Sequence, residues 1–510
     1  MLRLPSKRSV KMKKTIIYLF VAALGLTGLS ACHSDLDIIY DNALSASNMW
    51  QDPSDLEQSV PGLYERVRSF FSASEANVFY YGEVRVGDIM WGPSMKDKVQ
   101  DNFKISCRHQ TLAPGNTIGW ANAYKAIDQA NAILAHSGEC KATETMVNWA
   151  NAQAYFARAF MYFYVARLWG EVPMNLVPVE GTSQPETYPS QATPAQVYEQ
   201  IGKDIAACEA CGDVLGSEKY FGTKDALNML KAEYALWMYT TQNGGDTYLG
   251  MAETALNAIG ISSSKLLSDY SKVFDRNNRK NTEIVFAMNN SATSTAGYQV
   301  YFCHTSNNIK STYRQNPVPI SSSQWWHYSK EFQTELLKSK AEGDKRVDTN
   351  LGIGNYGADG GEISWCNKLL GDMTGSTMKL DNDLLYYRYA QAVMMHAELK
   401  YYQGKYEDAL KSLNILAKRA YGKDNYYTYT DKEGVLGCIM KEYFLEFPAE
   451  GVIWWALIRT GMIWDVVPNS EIPGQTFADL RAKNPNILLW PIPQSSLNKN
   501  TNLHQLKGWQ

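Results

Sequence analysis

Two stretches of the chain hold the side chains that could do chemistry. In Tyr80-Tyr81-Gly82-Glu83-Val84-Arg85-Val86-Gly87-Asp88-Ile89-Met90-Trp91, a guanidinium, a carboxylate and an indole fall within seven residues. A looser group holds Tyr298, Tyr301, Trp325, Trp326, Tyr328 and Trp365. Aromatic planes that stack, beside planar polar groups that hydrogen-bond in pairs, suit the apolar faces and hydroxyl rims of a sugar ring. The competing reading is structural, with Trp91 in the core and Arg85–Asp88 an internal ion pair. Adjacent Trp325 and Trp326 cannot share a face of a helix or strand, so at most one of them is expected to reach a site. Trp169, Trp237, Trp454 and Trp455 lie in helical or C-terminal motifs and read as packing residues.

Bond-making chemistry leaves little trace. The chain has no HExxH, no GxSxG and no carboxylates paired in a motif setting. Gly352-Ile353-Gly354-Asn355-Tyr356-Gly357 matches GxGxxG, but it follows no clear strand and opens no helix. It reads as a flexible loop rather than a dinucleotide cradle. The histidines are scattered without metal spacing. Asp381-Asn382-Asp383 is too short for a calcium loop and is expected to cap a helix starting at Leu384. Cys208-Glu209-Ala210-Cys211 is a CxxC inside a helical pattern and reads as packing, not as a redox or zinc site. The expectation is a protein that is not an enzyme and uses no cofactor and no metal.

The elements that must position these residues are helices. Apolar residues recur at helical spacing over Trp120–Leu134, Pro194–Cys211 and Thr223–Met238, and Thr193 before Pro194 supplies a cap and an N1 proline. Asn151–Trp169 is apolar almost all round and should be a buried central helix. Leu384–Gln403 and Tyr406–Tyr421, joined at Gly404-Lys405, read as a tetratricopeptide-like helix pair. The period fails over about 70–104 and 261–380, where Glu283–Met288 could form a short strand. Long irregular excursions on a helical scaffold are where function is expected.

Charge and the N-terminus bound the setting. Residues 1–31 hold six basic side chains and no acidic ones; without them 43 Lys+Arg face 52 Asp+Glu, a formal −9. That balance disfavours nucleic acid as a partner. Met12-Lys13-Lys14 precedes an apolar run, Ile16–Leu29, too short to span a bilayer. It ends in Leu29-Ser30-Ala31-Cys32, a lipobox, so 1–31 is expected to be a signal peptide and Cys32 the acylated N-terminus. Residues 32–510 are then a single domain, with seven further cysteines, an odd number that leaves at least one unpaired. Asp35 and Asp37 just after Cys32 resemble a lipoprotein surface-export signal, and that resemblance implies the cell outer membrane, lipid-anchored and facing the cell surface.

Read in order, further fragments resemble the SusD/RagB family of outer-membrane nutrient-binding lipoproteins. They are Ala152–Met174 with Trp169-Gly170-Glu171-Val172-Pro173, Tyr124–Asn131, Tyr198–Ile201 with Asp204, Arg388-Tyr389-Ala390, Ala397-Glu398, Lys418-Arg419-Ala420 and Pro491-Ile492-Pro493. Asp35 and Asp37 after the lipobox, and Asn500, Asn502 and Gln505 near the end, fit the same pattern. Glu442, Glu446, Glu450-Gly451, Trp454 and Arg459 match a charged C-terminal helix pair of the family, but Pro448 interrupts it and should break the helix. The resemblance implies an all-α fold, a tetratricopeptide-like scaffold with an irregular ligand-binding region. It also implies a SusC-like TonB-dependent β-barrel transporter as partner, covered by the lipoprotein as a hinged lid. Ligands in the family are mainly oligosaccharides, with some members taking peptides; a pure interaction scaffold is the remaining alternative. Glycan-binding relatives place Arg, Asp and Trp in the early excursion, so Arg85, Asp88 and Trp91 are the expected contacts, joined by Tyr301, Trp325, Trp326 and Trp365.

Overall fold

Helices form where the sequence supplies both a cap and an apolar stripe. The structure, a computed structural model, describes residues 49–72, 78–86, 89–91, 114–115, 117–181, 187–290, 326–355, 362–368, 371, 381–429, 431–467 and 477–509. Among these, Trp50–Gln510 form one compact unit. The first elements are α1 (Pro53–Phe71), the short α2 (Val78–Gly82) and strand β1 (Ile89–Trp91). Helices α3 (Ala121–His136) and α4 (Glu144–Trp169) follow and pack on each other. Thr143 caps α4, which is buried from Ala152 to Trp169 except at Tyr155. Gly170, at φ 72, ends that helix and turns the chain into β2 (Val172–Pro173), paired with β3 (Gln191–Ala192). This gives the Trp-Gly-x-Val-Pro motif its physical basis: a left-handed position that glycine adopts freely, then a strand.

Helix α5 (Pro194–Ala210) starts with Thr193 and Gln196 capping reciprocally, and α6 (Lys224–Thr241) starts at the Thr223 cap. Helix α7 (Asp246–Ile259) pairs with α6. The long excursion then contributes β4 (Ile284–Met288), β5 (Trp326–Tyr328), α8 (Lys330–Ala341), α9 (Val347–Asn350), β6 (Gly352–Asn355), β7 (Glu362–Trp365) and β8 (Leu384–Arg388). The body resumes with α10 (Tyr389–Tyr402), α11 (Tyr406–Tyr421), α12 (Lys432–Glu446) and α13 (Ile453–Thr460). Helix α7 packs on α10 although residues 260–388 intervene, so the excursion leaves and rejoins one helical stack. The result is a mostly helical fold with short two-stranded ribbons.

Three expectations need correction. Leu384–Arg388 is not the first turn of a helix but strand β8, paired antiparallel with β4; a run of Leu and Tyr suits a half-buried strand as well as a helix. Asp381 and Asp383 therefore do not cap it. Asp381 accepts both Nε and Nη2 of Arg276 at 2.6 Å, and Asp383 accepts Arg279 Nη1 at 2.7 Å. Gly352–Asn355 is a strand paired with β7, not a loop, and Gly357 lies outside the described residues. By contrast Pro448 does stop α12 at Glu446, as its ring requires.

Family fragments that lie far apart in sequence meet as buried ion pairs. Arg158 donates to both oxygens of Asp204, at 2.8 and 2.7 Å, and to Asn131 at 2.8 Å. Arg459 grips Glu398 at 2.9 and 2.7 Å, and Arg167 donates to Glu233 at 2.6 Å. Cys208, Cys211, Cys140, Cys366 and Cys438 are all free thiols. Cys208 donates to Ala152 O at 3.2 Å, and burial raises its pKa far above the ordinary thiol value, which makes it an inert packing group.

Candidate functional site

The two excursions meet in one place. Strand β1, from the early excursion, pairs antiparallel with β5, from the late one: Ile89 opposes Tyr328, Met90 opposes His327, and Trp91 opposes Trp326. Two tryptophans separated by 235 positions therefore occupy facing register positions. Facing positions of an antiparallel pair lie on one face of the ribbon, with Cβ atoms about 4.5–5.5 Å apart.

The base of the early excursion is fixed from inside. Residues 83–85 form a turn after α2, and Glu83 is fully buried. Its carboxylate accepts the N–H of Ala449 at 2.8 Å and of Gly451 at 3.0 Å. Arg85 is 2% exposed: it donates to the carbonyls of Leu488, at 2.9 Å, and Ile487, and lies 4.6 Å over the Trp454 ring. Burial pulls its pKa down to about 9, still above neutrality. Arg85 is thus a bolt holding the excursion to the C-terminal segment, and the expectation that it meets ligand is corrected.

Trp365 is corrected for the same reason. At 1% exposed it lies opposite Gly352 in the β6–β7 ribbon, and a Cβ on Gly352 would fall 2.2 Å from its indole. Its Nε1 donates to Asn367 at 2.8 Å. Tyr328 is also buried, donating its hydroxyl to the Asn350 carbonyl at 3.0 Å. Trp169, Trp237, Trp454 and Trp455 are buried, in keeping with packing roles. Cys32, Asp88, Tyr298, Tyr301 and Trp325 lie outside the described residues. Of the expected contacts, Trp91 and Trp326 are the ones the backbone brings together.

Beneath the late excursion lies a sealed cluster of charge. Arg388 donates to Glu283 at 3.0 Å, Glu446 at 2.6 Å and Glu450 at 2.6 Å. Arg346 reaches Asp344 at 2.9 Å, Glu442 at 2.5 Å and Glu446 at 2.8 Å, and Arg419 bridges Glu283 and Glu446. Burial alone would raise the Glu446 pKa; Arg419, Arg388 and Arg346 together more than reverse this and hold it well below the carboxylate range. No sequence spacing announced this cluster, because its partners come from five separate segments.

A shallow surface cleft is lined by Arg276, Arg279, Lys280, Asn281 and Asp383 among others. Its arginines are turned inward onto Asp381 and Asp383. Among the described residues no group of His, Cys, Asp and Glu is arranged to hold a metal, and no helix is long and apolar enough to cross a membrane.

This arrangement can be set beside known proteins. Residues 238–509 match the model of the SusD family. The chain belongs to the SusD family. Residues 66–226 match a second model, described as starch-binding and associating with the outer membrane. SusD-like protein P38 of Formosa agariphila is 22% identical over 532 residues, spanning 97% of this chain and 99% of that one. B. fragilis NanU superposes with a TM-score of 0.72 at 26% identity, covering 94% of this SusD-family chain and all of its own. Surface glycan-binding protein A from Bacteroides thetaiotaomicron, in complex with laminarihexaose, superposes with a TM-score of 0.68 at 20% identity, covering 89% and 99%.

Proposed function

We propose that this chain is a lipid-anchored outer-membrane protein that binds oligosaccharides and passes them to a TonB-dependent β-barrel transporter. The observation that supports this best is the β1–β5 pairing, which sets Trp91 opposite Trp326 at the meeting of the two excursions. Tryptophan at both of two facing register positions is the residue type that stacks on the C–H faces of sugar rings. Asp88, adjacent to β1 in sequence, and Tyr301, earlier in the late excursion, supply hydroxyl contacts and a further ring, while Trp325, which cannot share a face with its neighbour Trp326, is left out of the site. Acylated Cys32 and a single domain over 32–510 complete the reading, with the helical scaffold facing the barrel. Binding makes and breaks no bond, and affinity per sugar is modest, as expected where stacking and exchangeable hydrogen bonds do the holding. The reading is supported by the second family model's description and by the laminarihexaose complex of a structural neighbour.

Calorimetric titration of the chain from Ser34 onward with laminarihexaose and with a maltooligosaccharide series is the test. Saturable binding to one series, lost in Trp91→Ala with the fold intact, is the expected result. Affinity unchanged by Trp91→Ala and by Trp326→Ala would remove the site assignment.

A further inference from the structure

Pro448 departs from the family pattern, and the turn it creates is where distant parts of the chain converge. Helix α12 stops at Glu446, and the chain then turns with Ala449 at φ 63 and Gly451 at φ 69. We propose that this turn is the common foothold of both excursions, and that Glu83 and Asn350 are positioning residues that set the β1–β5 register. The inference deepens the reading of that ribbon as the binding site.

Each excursion reaches the foothold by its own buried group. From the early one, the Glu83 carboxylate is clasped by the N–H groups of Ala449 and Gly451, six residues before β1 begins. Gly82 fits against the same turn so closely that a Cβ there would lie 1.8 Å from Gly451 O. From the late one, Asn350 donates Nδ2 to Leu445 O at 2.7 Å and accepts the hydroxyl of Tyr328, itself a residue of β5, on its own carbonyl. The two anchoring points, Leu445 O and Ala449 N, are four residues apart.

Anchors are needed because the ribbon is short. Strands of three residues form too few cross-links to hold their own register, and a slip of one residue would send every side chain to the opposite face. Two buried anchors on one helix end fix both strands to the same frame, so Trp91 meets Trp326 rather than its neighbour.

The test reads register without any ligand. In the mature chain carrying Met90→Cys and His327→Cys, which are opposed in the ribbon, either type of antiparallel pair brings the two Cα atoms within disulfide reach. The rate of this cross-link under mild oxidation, mapped by peptide mass spectrometry, is compared after adding Glu83→Gln, Tyr328→Phe or Thr223→Ala. Thr223→Ala removes a helix cap in the scaffold and controls for loss of stability alone. The expected result is fast cross-linking in the parent, slowing by about tenfold with Glu83→Gln and with Tyr328→Phe, the scale of one buried hydrogen bond lost, and no change with Thr223→Ala. Equal rates in all, equal slowing by Thr223→Ala, or no cross-link in the parent would each overturn the proposal. Titration of the same proteins with laminarihexaose and maltooligosaccharides separates the two claims: cross-linking that follows the anchors while no glycan binds leaves the anchoring intact and removes the binding site.

Discussion

The two excursions reach one ribbon by different means. The early one is held by a single carboxylate in a backbone clasp and by Arg85 on two carbonyls and an indole. The late one stands on an interlocked set of ions around Arg388 and Arg346, fully enclosed. The irregular regions of this chain thus rest on bases that are tightly specified, one by hydrogen bonds and one by charge. A clasp accepting neutral N–H groups loses one bond at a time. An enclosed ion set fails as a unit, because removing one member strands charge in the interior.

The largest expected effect follows from this. Arg388→Ala leaves Glu283, Glu446 and Glu450 short of a partner and should cost about 3–5 kcal/mol in urea unfolding; a loss below 1 kcal/mol, the scale of an exposed pair, would show the set is not cooperative. Next, Gly352→Ala drives a methyl group into the Trp365 indole and should cost about 1–3 kcal/mol while leaving the glycan affinity of the folded fraction unchanged. An affinity loss there would return Trp365 to the binding surface.

Acid sharpens the contrast. Glu446 has a folded pKa far below its unfolded value of about 4.3. Its stabilisation is therefore complete above that unfolded value and is lost as pH falls toward the folded one. Melting temperature should drop steeply below about pH 4, and the drop should be shallower in Glu446→Gln than in the parent.

The smallest effect is at the scaffold's edge. His136 contacts Glu139 at 2.9 Å through Nδ1 and Glu180 at 2.7 Å through Nε2, and stacks on Trp50. Partial burial lowers its pKa, but the hydrogen bonds and charges of the two glutamates outweigh this and raise it. A raised folded pKa means the contribution is full below the unfolded value of about 6.5 and fades as pH climbs through the folded value. His136→Gln should cost under about 1 kcal/mol at pH 6 and nothing at pH 9; an equal cost at both would show that packing against Trp50, not charge, is lost.

Much of the scaffold was legible because helical period and caps are local signals. Thr193-Pro194, Thr223 and the Gly404-Lys405 turn sit where the sequence put them. Leu384–Arg388 reads locally as helix, and its strand character comes from β4, about a hundred residues away. Helix Lys330–Ala341 lies inside the stretch where helical period fails, and neither it nor Asp246–Ile259 is evident from the sequence pattern. For the site, residue type pointed to Trp91 and Trp326 separately, but their pairing is a matter of register that no local pattern encodes. Arg85 and Trp365 have the chemistry of a sugar contact and the burial of a core residue; Arg85 is buried by Leu488 and Trp454, hundreds of positions away, and Trp365 lies against Gly352 across a strand pairing that no local pattern encodes.

The paired site is tested by a double-mutant cycle on glycan affinity with Trp91→Ala, Trp326→Ala and the pair, each checked for an unchanged fold. Both single changes should weaken binding, and their effects should couple by at least about 0.5 kcal/mol, because residues at facing register positions are proposed to grip one ligand. Strictly additive losses, or binding that survives both changes, would contradict the paired site.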